Sequence, residues 1–267
     1  MIKLIATDLD GTVLGPDFRF RDRTLEALRA ARSAGVEIVY VTGRPHRWIE
    51  PVREQLEYES VAICSNGAVI YDVSQGQVLH AETVPTEMIL GLHATLRETL
   101  PGAHYSVETL AGVVSEPGWP QTNLLETGQR TIGPLDELLT ADSQIIKFLV
   151  RDESMDPRTL YETVQDKAQN QVSVTHAVAN MPLAEIGQAG LSKGRTLARW
   201  CAAEGIAADE VVAFGDMPND TTMLQWAGRG YAMASGWPEV IQTVGRTCPA
   251  FEEDGVAQVI EELLERG

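Results

Sequence analysis

Two aspartates separated by a single residue stand out near the start of the chain. Asp8 and Asp10 belong to the segment Asp-Leu-Asp-Gly-Thr, which follows a short apolar run over residues 3–7. A buried charge needs a partner, and like charges this close disfavour each other's ionisation unless a cation intervenes. Mg²⁺ prefers carboxylate oxygens, and a carboxylate pair also suits a reaction in which one group attacks and the other transfers protons. The alternative is an ordinary turn, in which Asp10 and Gly11 only reverse the chain.

A second acidic cluster, of Asp216, Asn219 and Asp220, lies far along the chain and also follows a short apolar run. Asp216 and Asp220 have the oxygen donors to complete a metal site together with Asp8. The alternative is that Asn219 or Asp220 caps the helix predicted just after it. Both interpretations stay open at this point, because capping and metal binding are compatible.

Two further segments offer groups that favour an anion. Thr42 and Gly43 end an apolar run and supply a hydroxyl and an unhindered N–H, which together make a small anion site, although such pairs also occur in many turns. Lys193 precedes a predicted helix, where its charge is unfavourable unless an anion binds there. The alternative is a solvated lysine on a loop. Arg44 follows Gly43 beside the same crevice and is a candidate for contacting a substrate.

The elements that must position these residues alternate between strand and helix. Apolar, β-branched runs are typical of buried strands, and they end just before Asp8, Thr42, Ser65 and Asp216. Helical spacing of apolar residues predicts helices over residues 22–34, 48–56, 194–204 and 255–265. This alternation predicts an α/β fold with a doubly wound parallel sheet. The carboxyl ends of such strands meet in one crevice, where ligands bind.

The middle of the chain has a different pattern. Short predicted strands and helices follow one another there without the regular alternation seen on either side. This predicts a separate α+β domain at residues 83–189, inserted into a core domain formed by residues 1–82 and 190–267. Trp119, His104, Tyr105, His176 and Asn180 are candidates for lining a cleft, but an ordinary fold or surface role is favoured for each.

The charge of the chain restricts its partners. A net charge of -17 repels nucleic acid and anionic membranes, so neither is expected to bind. No apolar run approaches the roughly 20 residues that span a bilayer, and the apolar stretch at the N-terminus is too short for a signal peptide. A cytoplasmic location is therefore expected. The same charge repels a phosphorylated substrate, so such a substrate would require a metal ion or well-placed Lys and Arg side chains.

Taken together, these segments resemble the haloacid dehalogenase superfamily of phosphohydrolases. The run from Asp8 to Val13 looks like its DxDGT[LV] motif, and the run from Gly215 to Asp220 looks like its fourth motif. Val41-Thr42-Gly43-Arg44 and Lys193 resemble the second and third motifs, in the same order. The insertion between those two motifs resembles the Cof-type branch (type IIB), which carries an α+β cap and consists mostly of sugar-phosphate and related small-metabolite phosphatases.

The resemblance implies a catalytic role for three residues. Asp8 attacks phosphorus and forms an aspartyl-phosphate. Asp10 protonates the leaving oxygen and then deprotonates the attacking water. Lys193 neutralises the phosphate and orients Asp8.

The resemblance also implies ligands for phosphate and for Mg²⁺. Asp10 contributes its backbone carbonyl to the metal, and Asn219 and Asp220 position phosphate, Lys193 or metal-bound water. The residues expected at the metal are Asp8, Asp10, Asp216 and Asp220. Those expected at the phosphate are Thr42, Gly43, Arg44, Lys193 and Asn219.

The function expected from these residues is Mg²⁺-dependent hydrolysis of small phosphate esters, with sugar phosphates as the first candidates. A phosphomutase of the same superfamily is an alternative, as is a non-catalytic protein that binds phosphorylated metabolites. The intact set of Asp8, Asp10, Lys193 and Asp216 disfavours the non-catalytic alternative. One loop departs from the resemblance: the chain has Ala-Ser-Gly-Trp-Pro at residues 234–238, where Cof-type sequences often have Gly-Asn-Ala. A packing role for this difference is favoured over a change of specificity.

Overall fold

A computed structural model describes residues 1–120, 129–175 and 181–266. The chain divides into two compact units. The first, called the core unit here, consists of residues 1–80 and 192–267. The second, called the inserted unit, consists of residues 81–191.

The secondary structure is as follows. The strands are β1 (Leu4–Thr7), β2 (Glu37–Val41), β3 (Val61–Cys64), β4 (Val69–Asp72), β5 (Gln77–Ala81), β6 (His104–Thr109), β7 (Gly112–Ser115), β8 (Gln129–Ile132), β9 (Ile145–Arg151), β10 (Val172–Thr175), β11 (Leu183–Gln188), β12 (Val211–Gly215), β13 (Arg229–Met233) and β14 (Thr247–Cys248). The α-helices are α1 (Asp22–Ser33), α2 (Glu50–Arg53), α3 (Thr86–Thr99), α4 (Leu135–Leu138), α5 (Pro157–Ala168), α6 (Lys193–Ala203), α7 (Thr221–Trp226), α8 (Pro238–Val244) and α9 (Gly255–Arg266).

The core unit is built on one sheet with the strand order β14-β13-β12-β1-β2-β3-β4-β5. Neighbouring strands from β14 to β3 are parallel, and β4 runs antiparallel to β3. Every residue of β1 and β12 is buried, as expected for strands covered on both faces. This is the α/β architecture with a mainly parallel sheet that the sequence predicts.

Helices cover both faces of this sheet. Leu4 and Ala6 of β1 belong to a core with apolar residues of α6, α7 and α8. Successive side chains of a strand point to opposite faces, so Ile5 faces the other side, and α1 packs beside β2. The buried residues of α1 recur at the spacing of one helix face; they are Thr24, Ala27, Leu28 and Ala31.

The long helix predicted over residues 48–56 is wrong. The structure has a 3-10 turn at His46–Trp48 and then the short helix α2. Pro51 has no N–H to donate, so it is accommodated in the first turn of α2 but would break a helix that began earlier. The Gln55 side chain donates to the carbonyls of Pro51 and Phe18, at 2.6 and 2.9 Å.

The inserted unit has a second sheet with the strand order β10-β11-β9-β6-β7-β8. These strands pair antiparallel except β7 and β8, which are parallel. Its apolar side chains form a core that includes Ile89 of α3, Leu160 of α5 and Phe148 of β9. Tyr105 is buried in that core and stacks on Phe148, so its role is in the fold.

Two of the cleft candidates, His176 and Asn180, lie outside the described residues. Within the described ranges, no helix is both long and apolar enough to cross a bilayer.

Candidate active site

Three of the candidate site residues of the core unit follow directly after neighbouring strands of the sheet. Thr7, at the end of β1, is level with Phe214 of β12 and with Tyr40 of β2. Asp8, Asp216 and Thr42 come directly after these three strands. Parallel strands therefore bring them to one edge of the sheet, as the sequence predicts for ligand-binding residues of such folds.

Lys193 lies between two carboxylates. Its Nζ donates to Oδ1 of Asp8 and to Oδ1 of Asp220, both at 2.6 Å, and only 1% of the side chain is exposed. Burial lowers the pKa of the Lys193 amine, but Asp220 and Asp8 raise it more, so the pKa lies above its ordinary value. Lys193 is the first residue of α6. A positive charge is unfavourable at the N-terminus of a helix, and the two carboxylates offset it.

Asp220 is fixed from both sides. Its Oδ2 accepts from the backbone N–H groups of Asp216 and Met217, at 3.0 and 2.9 Å, while Oδ1 binds Lys193. Asp220 stands at the N-cap position of α7, but its side chain makes no capping bond to that helix, so the alternative that it serves as a side-chain cap does not hold. Asp220 instead ties the loop after β12 to Lys193.

Three carboxylates cluster closely enough to hold one metal ion. One oxygen each of Asp8, Asp216 and Asp220 lies within 4.8 Å of the others. Burial raises the pKa of Asp8 well above its ordinary value, against the opposing effect of Lys193, and the neighbouring acids raise it further. Burial and then Asp220 raise the pKa of Asp216 to about 7. A cation at this point would offset both effects, so the donor set fits a hard divalent ion.

Gly11 leaves room beside this cluster. It has φ +79°, and a Cβ at this position would lie 2.8 Å from Oδ2 of Asp216. A larger residue would therefore press on Asp216 as well as strain the backbone.

Asp10 pairs with Arg44. Nε of Arg44 donates to Oδ2 of Asp10 at 2.7 Å, and Nη2 donates to Oδ1. The Arg44 side chain is 5% exposed and that of Asp10 is 50% exposed. The guanidinium carbon lies 4.6 Å from the centroid of the Phe18 ring, a cation–π contact. The sequence indicated Arg44 as a substrate contact but did not indicate this pair, because no local pattern links the two residues.

The remaining predicted phosphate ligands lie in a connected loop network. Thr42 is buried, and its Oγ1 accepts from the backbone N–H of Arg44 at 3.0 Å. The Thr42 carbonyl accepts from Asn66 N–H at 3.1 Å, and the Asn66 side chain accepts from Nδ2 of Asn219 at 3.0 Å. Gly43 lies between Thr42 and Arg44.

Asn66 is a functional candidate whose role was missed from the sequence. It has φ +57°, a backbone conformation that asparagine tolerates better than most residues. The signal was available, since Asn66 precedes Gly67 at the end of a predicted strand. The Gly67 carbonyl accepts from Oγ1 of Thr196 at 3.0 Å, which ties this loop to α6.

The loop at residues 234–238 contacts the backbone carbonyl of Asp216. Trp237 N–H donates to the Asp216 carbonyl at 2.7 Å. A Cβ on Gly236 would lie 2.8 Å from the same carbonyl oxygen, so glycine permits the close approach. These contacts agree with a packing role for the unusual loop sequence.

Comparison with known proteins agrees with this geometry. A family model for haloacid dehalogenase-like hydrolases matches residues 5–260. The chain is 30% identical over 269 residues to the pyridoxal phosphate phosphatase YbhA of Escherichia coli, covering 97% of each chain. It is 28% identical over 275 residues to the 5-amino-6-(5-phospho-D-ribitylamino)uracil phosphatase YitU of Bacillus subtilis, covering 98% of this chain and 97% of the relative.

The fold is also that of a solved structure. The structure of the subclass IIB sugar phosphatase BT4131 matches with a TM-score of 0.81 at 20% identity, covering 98% of each chain. This likeness concerns the fold, while the family match and the full-length curated relatives concern the class of enzyme. The chain belongs to the haloacid dehalogenase-like hydrolase family, as its motifs predict, and is an enzyme of the phosphatase type.

Proposed function

We propose that this enzyme is a Mg²⁺-dependent phosphatase that hydrolyses small phosphorylated metabolites through a phosphorylated Asp8. The observation that carries this proposal is the position of Lys193 Nζ, 2.6 Å from both Asp8 and Asp220, beside the carboxylate cluster completed by Asp216. A nucleophile, a fixed cation and a set of metal donors at one sheet edge are what phosphoryl transfer requires, since it depends mainly on positioning and charge neutralisation.

The reaction has two steps. An Asp8 oxygen forms a bond to phosphorus as the bond from phosphorus to the leaving oxygen breaks, and that oxygen takes a proton from Asp10. Water then attacks phosphorus, Asp10 takes its proton, and the bond from Asp8 to phosphorus breaks. Lys193 keeps Asp8 oriented throughout, because its ammonium is held in place by Asp220 as well.

The metal ligands in this proposal are Asp8, Asp216 and the backbone carbonyl of Asp10. Asp220 belongs to the same cluster, and its two oxygens already accept from Lys193 and from two backbone N–H groups. We therefore assign to Asp220 the support of the metal site and of Lys193. When bound, Mg²⁺ supplies positive charge that offsets the carboxylates and the phosphate.

The phosphate ligands in this proposal are groups of the loops after β2 and β12. The hydroxyl of Thr42, the backbone N–H of Gly43 and the amide of Asn219 can donate to phosphate oxygens. Lys193 contributes charge, and Arg44, which the sequence indicates as a phosphate ligand, is bonded to Asp10. With these cations and a metal ion, the site has the local positive charge that an anionic substrate needs on a protein of net charge -17.

We propose small phosphate monoesters, with sugar phosphates first, as the substrates. The two curated relatives are named for different phosphate esters, pyridoxal phosphate and a phosphoribitylaminouracil. Both are small metabolites, which supports the substrate class and leaves its member open to experiment. In the same proposal, residues 83–189 are an α+β cap domain inserted into the core domain of residues 1–82 and 190–267, and the enzyme acts in the cytoplasm.

The test is phosphate release by the full-length enzyme. Para-nitrophenyl phosphate, hexose phosphates, pyridoxal phosphate and 5-amino-6-(5-phospho-D-ribitylamino)uracil are each incubated with Mg²⁺ or with EDTA. Wild type is expected to release phosphate only with Mg²⁺, and Asp8→Asn is expected to lose at least about 1,000-fold in kcat.

A matched control is Asp142→Asn, which makes the same change at an exposed residue of the inserted unit and is expected to leave kcat unchanged. Equal activity with EDTA and with Mg²⁺ would contradict the proposed metal requirement. Full activity of Asp8→Asn would contradict the proposed phosphorylation of Asp8.

A further inference from the structure

The contact between Arg44 and Asp10 is more constrained than a surface ion pair. Two N–H groups of one guanidinium reach the two oxygens of one carboxylate, an arrangement that fixes direction as well as distance. The Arg44 side chain is almost fully buried, with the Phe18 ring against its guanidinium. The Ser65 N–H donates to the Arg44 carbonyl at 2.8 Å, so its backbone is held too.

The two partners differ in their access to solvent. Asp10 keeps half of its side chain exposed, so a water molecule or a substrate oxygen can reach its carboxylate. Arg44 is the buried and rigid partner, and it sets the direction in which that carboxylate points. The two parallel hydrogen bonds therefore fix the orientation of the Asp10 carboxylate.

We propose that Arg44 is a positioning residue for Asp10 in the second half of the reaction, where it holds the carboxylate oriented to take a proton from the attacking water. This inference rests on the proposed function. In the first half Asp10 gives its proton to the leaving oxygen and becomes ionised. Arg44 then binds that carboxylate, water attacks phosphorus as Asp10 takes a water proton, and the bond between Asp8 and phosphorus breaks.

The proposal makes a different prediction from the other roles open to Arg44. Nη1 of Arg44 is buried and has no hydrogen-bond partner among the described residues, so this nitrogen could also donate to a substrate oxygen. A phosphate ligand acts while the substrate binds and Asp8 is phosphorylated, and its loss lowers kcat/KM. A positioning residue for the water step acts later, and its loss lowers kcat while kcat/KM is kept.

The test uses Arg44→Lys in the full-length enzyme, with para-nitrophenyl phosphate and Mg²⁺. Lysine keeps the charge but cannot make two parallel hydrogen bonds. Because p-nitrophenolate leaves readily without a proton, the first half depends little on Asp10, and the second half depends on it fully. We expect kcat to fall about 100-fold, KM to fall with it, and kcat/KM to stay within about threefold of wild type.

Rapid mixing gives the most direct readout. Arg44→Lys is expected to release a burst of about one p-nitrophenolate per active site before slow turnover, and acid quenching is expected to trap a phosphoryl group on Asp8. Arg44→Gln is a second variant with the same expectation, in case one of the two unfolds; thermal unfolding of both is measured. Arg53→Lys is the matched control, because it makes the same change in an exposed Arg–Glu pair.

Three results would overturn the proposal. A fall in kcat/KM with unchanged kcat assigns Arg44 to substrate binding. A proportional fall in kcat and kcat/KM without a burst assigns it to the fold. Wild-type kinetics in both folded variants would show that Arg44 has no role in the reaction. A wild-type enzyme that releases no phosphate from any ester is a separate outcome, because it contradicts the proposed function itself.

Discussion

Lys193 connects the chemistry of the site to the stability of the fold. A buried ammonium is costly unless it is paired, and here two carboxylates pair with it. Arg44, another cation of this site, is directed to Asp10 instead. We therefore expect the loss of Lys193 to lower both the activity and the stability of the protein.

The first prediction concerns Lys193→Met, which keeps the length of the side chain and removes its charge. We expect the free energy of unfolding to fall by about 3–5 kcal/mol, because Asp8 and Asp220 are left buried without their cation. Urea denaturation without Mg²⁺ measures this change. Lys167→Met is the control, because Lys167 forms a partly exposed pair with Asp166, and such pairs contribute at most about 1 kcal/mol. An equal midpoint for wild type and Lys193→Met would show that the pair adds nothing to stability.

At the scale of elements, α6 must lie close to α7 to place Lys193. Gly194 makes this approach possible. A Cβ there would lie 2.4 Å from the Thr222 carbonyl oxygen, and the Gly194 N–H donates to Oγ1 of Thr222 at 3.1 Å. The N-terminus of α6 is also fixed by Ser192, whose Oγ accepts from Arg195 N–H. The position of Lys193 thus depends on a helix contact that has no room for a side chain at residue 194.

The second prediction concerns Gly194→Ala. In an isolated helix alanine would be favoured, but here its methyl group overlaps the backbone of α7, so we expect a loss of about 1–3 kcal/mol. We also expect a lower kcat, because α6 must shift and Lys193 moves with it. Gly91→Ala is the control: Gly91 lies in α3, a Cβ there meets no heavy atom within 4 Å, and we expect stabilisation by about 0.5–1 kcal/mol. If both variants were stabilised alike, the close helix contact would not be present in solution.

The elements themselves could be predicted from the sequence because their signals are local. Buried strands such as β1 and β12 are short apolar runs, and α1 shows the spacing of one apolar face. The helix over residues 48–56 was one exception, because Pro51 and the side-chain bonds of Gln55 decided the local structure. Apolar spacing alone does not show where such bonds form.

The partners of the site residues could be predicted only in part. Strand ends and motifs indicated that Asp8, Thr42, Lys193 and Asp216 serve one site, and their roles stay predictions. The pairing of Asp10 with Arg44 joins residues 34 positions apart, and that of Asn66 with Asn219 joins residues 153 positions apart. Contacts at such separations depend on the conformation that the loops adopt in the folded protein. Residue spacing in the sequence therefore does not predict them.

At the scale of the whole molecule, the two units differ in how the chain forms them. The core unit is made from two distant segments, whereas the inserted unit is one continuous segment of residues 81–191. The described residues of the inserted unit form a six-stranded sheet and a separate apolar core. A segment with a separate core and continuous sequence has what a domain needs to fold alone.

The third prediction is that residues 81–191, expressed as a separate chain, fold cooperatively. We expect circular dichroism of mixed helix and strand, a single urea transition, and no phosphatase activity, since Asp8, Lys193 and Asp216 are absent. Residues 81–170 serve as the control. This shorter chain lacks β10 and β11, so β9 loses one neighbour and the core loses Val172, Val174, Ala184 and Ile186. It should show no cooperative transition, because those apolar contacts hold the sheet together. If the longer fragment also unfolded without a transition, the stability of the inserted unit would have to come from the core unit.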